Sequence, residues 1–175
     1  MENTIKQLKQ FRVDAIYGKK KHYNAALRKR KYYNFILGTQ IVLNAITGTT
    51  LINVVFGEGS YTSEIFALIL TIITTIFAGL QKIWNFEKQA QGNAKAADMY
   101  LRIGKKINLI LCLIKDKELS HKEIIKRTEL IGDEISQANE VGSEFPTNIR
   151  DYKKAQKGIK NGEENYKEDE IEIWE

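Results

Sequence analysis

Cysteine, proline and histidine are almost missing from this chain: one Cys, one Pro and two His in 175 residues. A single thiol, Cys112, cannot close an internal disulfide, and its neighbours Ile110, Leu111, Leu113 and Ile114 predict a small buried hydrophobe rather than a nucleophile. His22 and His121 have no second cysteine and no suitably spaced carboxylate, so neither a zinc site nor a nucleophile–base pair can be assembled from them. Neither catalysis nor a cofactor is expected. The lone proline, Pro146, follows Gly142 and ends the regular region, so nothing earlier in the chain carries the residue that breaks helices.

Charge is missing as well, in two places: residues 32–57 and 65–81 hold no Asp, Glu, Lys or Arg. The averages hide this, since 28% of the chain is charged and the mean hydropathy is negative. An uncharged apolar run of about 20 residues matches the roughly 30 Å hydrocarbon core of a bilayer. At about 1.5 Å per residue, residues 32–56 would extend roughly 37 Å and residues 65–81 roughly 25 Å, the second lengthening if Trp84 and Phe86 sit at the interface. A buried hairpin inside a soluble domain is the competing reading, and so small a domain rarely hides two such helices.

Lys19, Lys20, Lys21, Arg28, Lys29, Arg30 and Lys31 precede the first run, and Lys82, Lys88 and Lys95 follow the second. The connection, residues 57–64, carries no Lys or Arg. The positive-inside rule therefore predicts both termini in the cytoplasm. Residues 1–31 are charged throughout and contain no apolar core of signal length, so the first run is expected to direct insertion itself.

The flanks read as helices. Residues 1–31 form an N-terminal amphipathic helix whose apolar side carries Leu8, Phe11, Ala15, Ala25 and Ala26, with Gly18 as a point of interruption. The two-span hairpin occupies 32–86, and no stop signal follows it until Lys115, Asp116 and Lys117, which predicts one helix continuing from the second span. Ala96, Tyr100, Ile103, Ile107, Ile110 and Ile114 are spaced as a helix-packing seam. Ser120 and Glu123 fit a capping box, and a second seam follows at Ile124, Thr128, Ile131, Ile135 and Ala138. Residues 87–152 are thus expected to be a cytoplasmic helical hairpin and residues 153–175 a polar, flexible tail, with docking of Ile171 to Trp174 as the less favoured alternative. The expected fold is all-α: a two-transmembrane hairpin between an amphipathic helix and a cytoplasmic helical hairpin.

Both spans carry polar stripes. Gln40, Asn44 and Thr47 share one helical face; Thr71 and Thr74, with Thr75, mark another. Such residues at bilayer depth meet other helices or water. Polar adhesion between packed helices is one reading, helped by Gly48 and Gly79; a pore lined by amides and hydroxyls after several copies assemble is the other. The basic stretch also admits two readings. Lys19, Lys20, Lys21, His22, Arg28 and Arg30 suit anionic lipid headgroups, while the interleaved Tyr17, Tyr23, Tyr32 and Tyr33 would suit stacking against an oligonucleotide or nucleotide.

The run Tyr17, Gly18, Lys19, Lys20, Lys21, His22, Tyr23, Asn24, Ala25, Ala26, the basic Arg28 to Tyr32 and then Ile46, Thr47, Gly48, Thr49 resembles the opening of a SLATT domain. Ala78, Gly79, Leu80, Gln81, Asn85, Phe86 and the stretch from Ala94 to Tyr100 resemble its second span and exit, so that the likeness covers residues 10–150. The resemblance implies a two-span effector of bacterial nucleotide-signalling defence against phage. It also implies a chain that assembles with itself in the inner membrane as a pore or channel and halts the infected cell. Its control would come from a nucleotide signal or from a nucleotidyltransferase or sensor encoded nearby. Two other classes stay open: a non-conducting membrane scaffold that recruits a partner, and a soluble helical nucleic-acid-binding protein.

Overall fold

The computed structural model describes residues 1–57 and 60–165, and among these the fold is entirely helical. Five helices follow one another: α1 (Glu2–Phe56), α2 (Tyr61–Trp84), α3 (Phe86–Lys115), α4 (His121–Glu144) and α5 (Ile149–Lys160). They make two compact units, one of residues 1–27 with 91–175, the other of residues 28–90. The chain passes between them within α1 and again within α3. The end segment containing Ile171 to Trp174 lies outside the described residues.

In the unit of residues 28–90, α2 buries one narrow face, Ala67, Leu70 and Thr74, at helical spacing. Much of the remaining surface of the two helices is apolar and uncovered: Val42, Ile52, Val55, Phe66, Leu68, Ile72 and Ile76 are all more than half exposed. Only 6% of the most apolar window of α1 and 17% of that of α2 are buried, the opposite of what a core hairpin of a soluble domain would require. Tyr32, Trp84 and Phe86 cluster at one end, with Tyr32 edge-on to Phe86 at 5.7 Å and Trp84 tilted against Phe86 at 5.7 Å. Arg28 lies 5.9 Å above the Tyr32 ring. Aromatic and basic residues in this arrangement suit the headgroup level of a bilayer.

One expectation fails here. The helix leaving the second span is not continuous, because Asn85 adopts the left-handed conformation at φ 40°. Asparagine tolerates that region better than other non-glycine residues, its short side chain bonding locally. Asn85 serves both helices: its N–H donates to Gln81 O at 3.0 Å, closing α2, and its Oδ1 accepts from Lys88 N at 3.2 Å, opening α3. By contrast α1 runs through Gly18 without interruption.

The other unit is built on the two seams. Tyr100, Ile103, Ile107 and Ile110 of α3 join Ile131, Ile135 and Ala138 of α4 and Leu8 and Ala15 of α1 in one core, with Ile114 and Phe11 packed at its margin. Ala96, Ile124 and Thr128 are buried too. Antiparallel pairing of α3 with α4 follows from its contacts: Lys106 bonds Glu134 at 2.5 Å, the Tyr100 hydroxyl donates to Asn139 at 2.6 Å, and Gly92 faces the Phe145 ring. The α3–α4 turn ends in a Schellman motif, in which Lys117 N–H reaches Ile114 O and Glu118 N–H reaches Leu113 O. The capping box forms as expected, Ser120 N donating to Glu123 Oε2 at 2.9 Å and Ser120 Oγ receiving Glu123 N.

Two further expectations are corrected. Cys112 is exposed, since two residues beyond Ile110 is more than half a helical turn away from the buried seam. The polar segment after 152 is not a tail throughout: α5 extends to Lys160, opened by a reciprocal cap between Asn148 and Asp151 and held to α1 by Asn24, which donates to Asp151 O at 3.1 Å.

Candidate functional site

The buried face of α1 runs Leu8, Ala15, Gly18, His22 and Ala25. Its periodicity carries His22 into the interior, where its Nδ1 lies 2.9 Å from Asn93 Oδ1 and its ring stacks on Tyr100 at 5.8 Å. Grouped with the surface bases by sequence, His22 is instead a core residue, and the spacing of Leu8, Ala15 and Ala25 was the signal for it. Asn93 is fully buried, and a Cβ on Gly142 would come within 2.9 Å of His22 Nε2. Burial pushes the Tyr100 phenol up, with a smaller contribution from the Asp14 charge.

On the adjoining face the bases gather acids. Lys19 Nζ lies 2.5 Å from Glu164 Oε2; Lys20 bonds Glu163 and lies 3.4 Å from Glu164 Oε1. The Lys19 and Lys20 side chains are only 18% and 13% exposed. The acids come from the turn closing α5, a second Schellman motif with Gly162 at φ 81°: Gly162 N–H reaches Ile159 O and Glu163 N–H reaches Gly158 O, both at 3.1 Å. The Glu163 carboxylate lies over Gly158, where a Cβ would meet it at 2.3 Å and push that side chain aside. Lys20 holds the Glu163 carboxyl below the usual carboxylate range. Neither acid was singled out by sequence, since their partners lie more than 140 residues away.

Beside these pairs is a cavity of about 680 Å³ lined by α1, α3 and the turn, including Arg12, Lys19, Lys105 and Asn108. A smaller one of about 350 Å³ adjoins Lys20, Tyr23 and Lys154. Arg12 Nε donates to Asn108 at 2.6 Å, and the Tyr23 hydroxyl donates to Asp98 at 2.5 Å. Burial, then the Asp98 hydrogen bond and charge, push the Tyr23 phenol up to about 12. Its folded pKa exceeds the ordinary value near 10, so this contribution to stability is complete below pH ~10 and is lost as pH rises toward ~12. The phenolate absorbance lost in Tyr23→Phe is expected to titrate above pH ~11; a midpoint near 10 would refute the Asp98 contact.

The polar stripes of the spans divide. Thr47 and Thr74 are buried, Gln40 is half-buried, and Asn44 and Thr71 are exposed. Thr47 donates to Leu43 O, Thr71 to Ala67 O and Thr74 to Thr71 O, at 2.8 to 2.9 Å. Each hydroxyl is therefore satisfied by its own helix and can face lipid or a neighbouring helix. The carboxamide of Asn44, midway along the first apolar run, is the more demanding group. Of the remaining bases, Lys21 is half-buried, Arg28 covers Tyr32 and Arg30 is exposed. No group of three or more metal-binding side chains occurs among the described residues.

Neither the curated proteins nor the solved structures contain a match to the chain. A family model does match, that of the SMODS and SLOG-associating 2TM effector domain family 4, over residues 5–171. The match takes in both apolar helices and nearly the whole of the other unit. With two helices long and apolar enough to cross a bilayer, the chain is a membrane protein and belongs to SMODS and SLOG-associating 2TM effector domain family 4.

Proposed function

We propose that this chain is a homo-oligomeric membrane effector that opens a pore or ion channel and halts the growth of infected cells. In this reading the spans conduct and the unit of residues 1–27 and 91–175 lies in the cytoplasm, where a nucleotide ligand or partner protein controls opening. Family membership supports the effector role and the link to nucleotide-signalling systems. The observation that carries the pore is Asn44: an exposed carboxamide near the centre of an apolar run is costly in lipid and is accommodated by water or by another copy. Two helices cannot enclose a channel, so conduction requires assembly. The basic flanks of the spans support a topology with both termini on the cytoplasmic side of the bacterial inner membrane.

Asn44→Leu combined with Thr71→Leu is expected to reduce ion flux from proteoliposomes at least about tenfold at equal protein content. Thr47→Val, at a buried position away from the exposed faces that carry Asn44 and Thr71, is expected to conduct. Full flux in the double variant would overturn the pore. A wild-type chain that never depolarises cells, yet still needs the Tyr100 to Ile110 seam for its effect, would instead favour a scaffold.

A further inference from the structure

We infer that the groove lined by Arg12, Lys19 and Lys105, with Lys20 in the smaller cavity beside it, binds the phosphate groups of a polyanionic ligand, and that Glu163 and Glu164 occupy it as internal stand-ins for that anion. The inference rests on the proposed function only in that occupancy of the groove would alter conduction; binding itself requires no pore. The Lys19 and Lys20 side chains, largely sheltered on α1, both reach Glu164, and a sheltered ammonium group needs a negative partner. Both receive it from one turn, and Lys154 adds a further positive charge near Glu163.

The turn is built for this seat. Gly162 is favoured there by its positive φ, and the Glu163 carboxylate lies over Gly158. Yet the seat is exchangeable at its outer side, because Glu163 is 61% exposed and its pair with Lys20 is screened by solvent, whereas Glu164 is 21% exposed. A phosphate group offers three acceptor oxygens and more charge than a carboxylate, so it competes favourably for the same ammonium groups. The adjoining cavity, about 680 Å³, falls within the range of small-molecule sites and has room for the rest of a nucleotide-sized ligand. Ligand entry would displace Glu163 and Glu164 and release the end of α5 from α1.

Tripolyphosphate binding to the full-length protein in detergent tests this by calorimetry. Lys19→Gln with Lys20→Gln is expected to weaken binding at least about tenfold, and Lys19→Arg with Lys20→Arg to retain it. Glu163→Gln with Glu164→Gln removes the internal competitor and is expected to tighten binding about five- to tenfold. That arm decides the matter if the lysine pair proves necessary for folding. Equal affinity in wild type and the glutamine pair at 163 and 164 would overturn the inference, as would undiminished binding by a folded Lys19→Gln, Lys20→Gln protein. Repeating the titration in nanodiscs separates the sources of phosphate: a soluble ligand gives the same affinity in zwitterionic and anionic lipid, whereas a lipid headgroup suppresses tripolyphosphate binding in anionic discs alone. Flux is measured separately, so a chain that binds but does not conduct would count against the pore and leave the groove standing.

Discussion

Gly18→Ala is expected to destabilise the protein by about 1–3 kcal/mol, although alanine is the better helix former by about 1 kcal/mol. An added Cβ would stand 2.7 to 2.8 Å from three ring atoms of Tyr100. The ring has little freedom to retreat. Its hydroxyl is bonded to Asn139, one face stacks on His22, and the residue is 3% exposed. Gly92→Ala meets the Phe145 ring at 2.4 Å, but Phe145 is only half-buried at the end of α4 and can swing aside. The two substitutions therefore separate geometry from rigidity: Gly18→Ala should lower the melting temperature of the detergent-solubilised protein by more than Gly92→Ala does. Equal or reversed shifts would show that the close approach of α1 to Tyr100 is not what the helix depends on. Combining Gly18→Ala with Tyr100→Leu should recover part of the loss, since the two residues are in direct contact and their effects should not add.

Truncating the seam has the other large effect. Ile107 is fully buried at the centre of the core shared by α1, α3 and α4, and Ile107→Ala is expected to cost about 2–5 kcal/mol through lost burial and the cavity left behind. Leu109, two residues on, is 60% exposed. Leu109→Ala is expected to change stability by less than about 0.5 kcal/mol. Thermal unfolding followed by circular dichroism compares the pair directly. Should Leu109→Ala prove as damaging as Ile107→Ala, the outer face of α3 must be covered by another protein surface.

The features legible in the sequence were those set by local spacing. The isoleucines at 103, 107 and 110, with Tyr100, declared the buried face of α3 because helical periodicity alone decides which side chains meet. Ser120 and Glu123 announced the start of α4 because a capping box is complete within four residues. The spans were visible because charge is absent from them. What stayed hidden depended on distant partners or on one residue's conformation. The break at Asn85 lies among good helix formers, with neither glycine nor proline to mark it. The role of Glu163 and Glu164 could not be read from a stretch rich in Lys, Glu, Gly and Asn, because its order comes from lysines on α1. For the threonines of the spans, read as candidates for pore lining or packing, spacing alone does not show that their hydroxyls donate to carbonyls one turn back.

The contrast between the two apolar helices has a mechanical consequence. The first is part of one uninterrupted helix, Glu2–Phe56. The second ends on a swivel. At Asn85 a single pair of backbone dihedrals separates α2 from α3, and both helix ends are already sealed by that one residue. Turning α2 about this point would cost the bond from the Gln89 side chain to Trp84 O and the packing of Ala67, Leu70 and Thr74. Of the two spans, the second is the one joined to the helix that follows it through a single residue in the left-handed conformation.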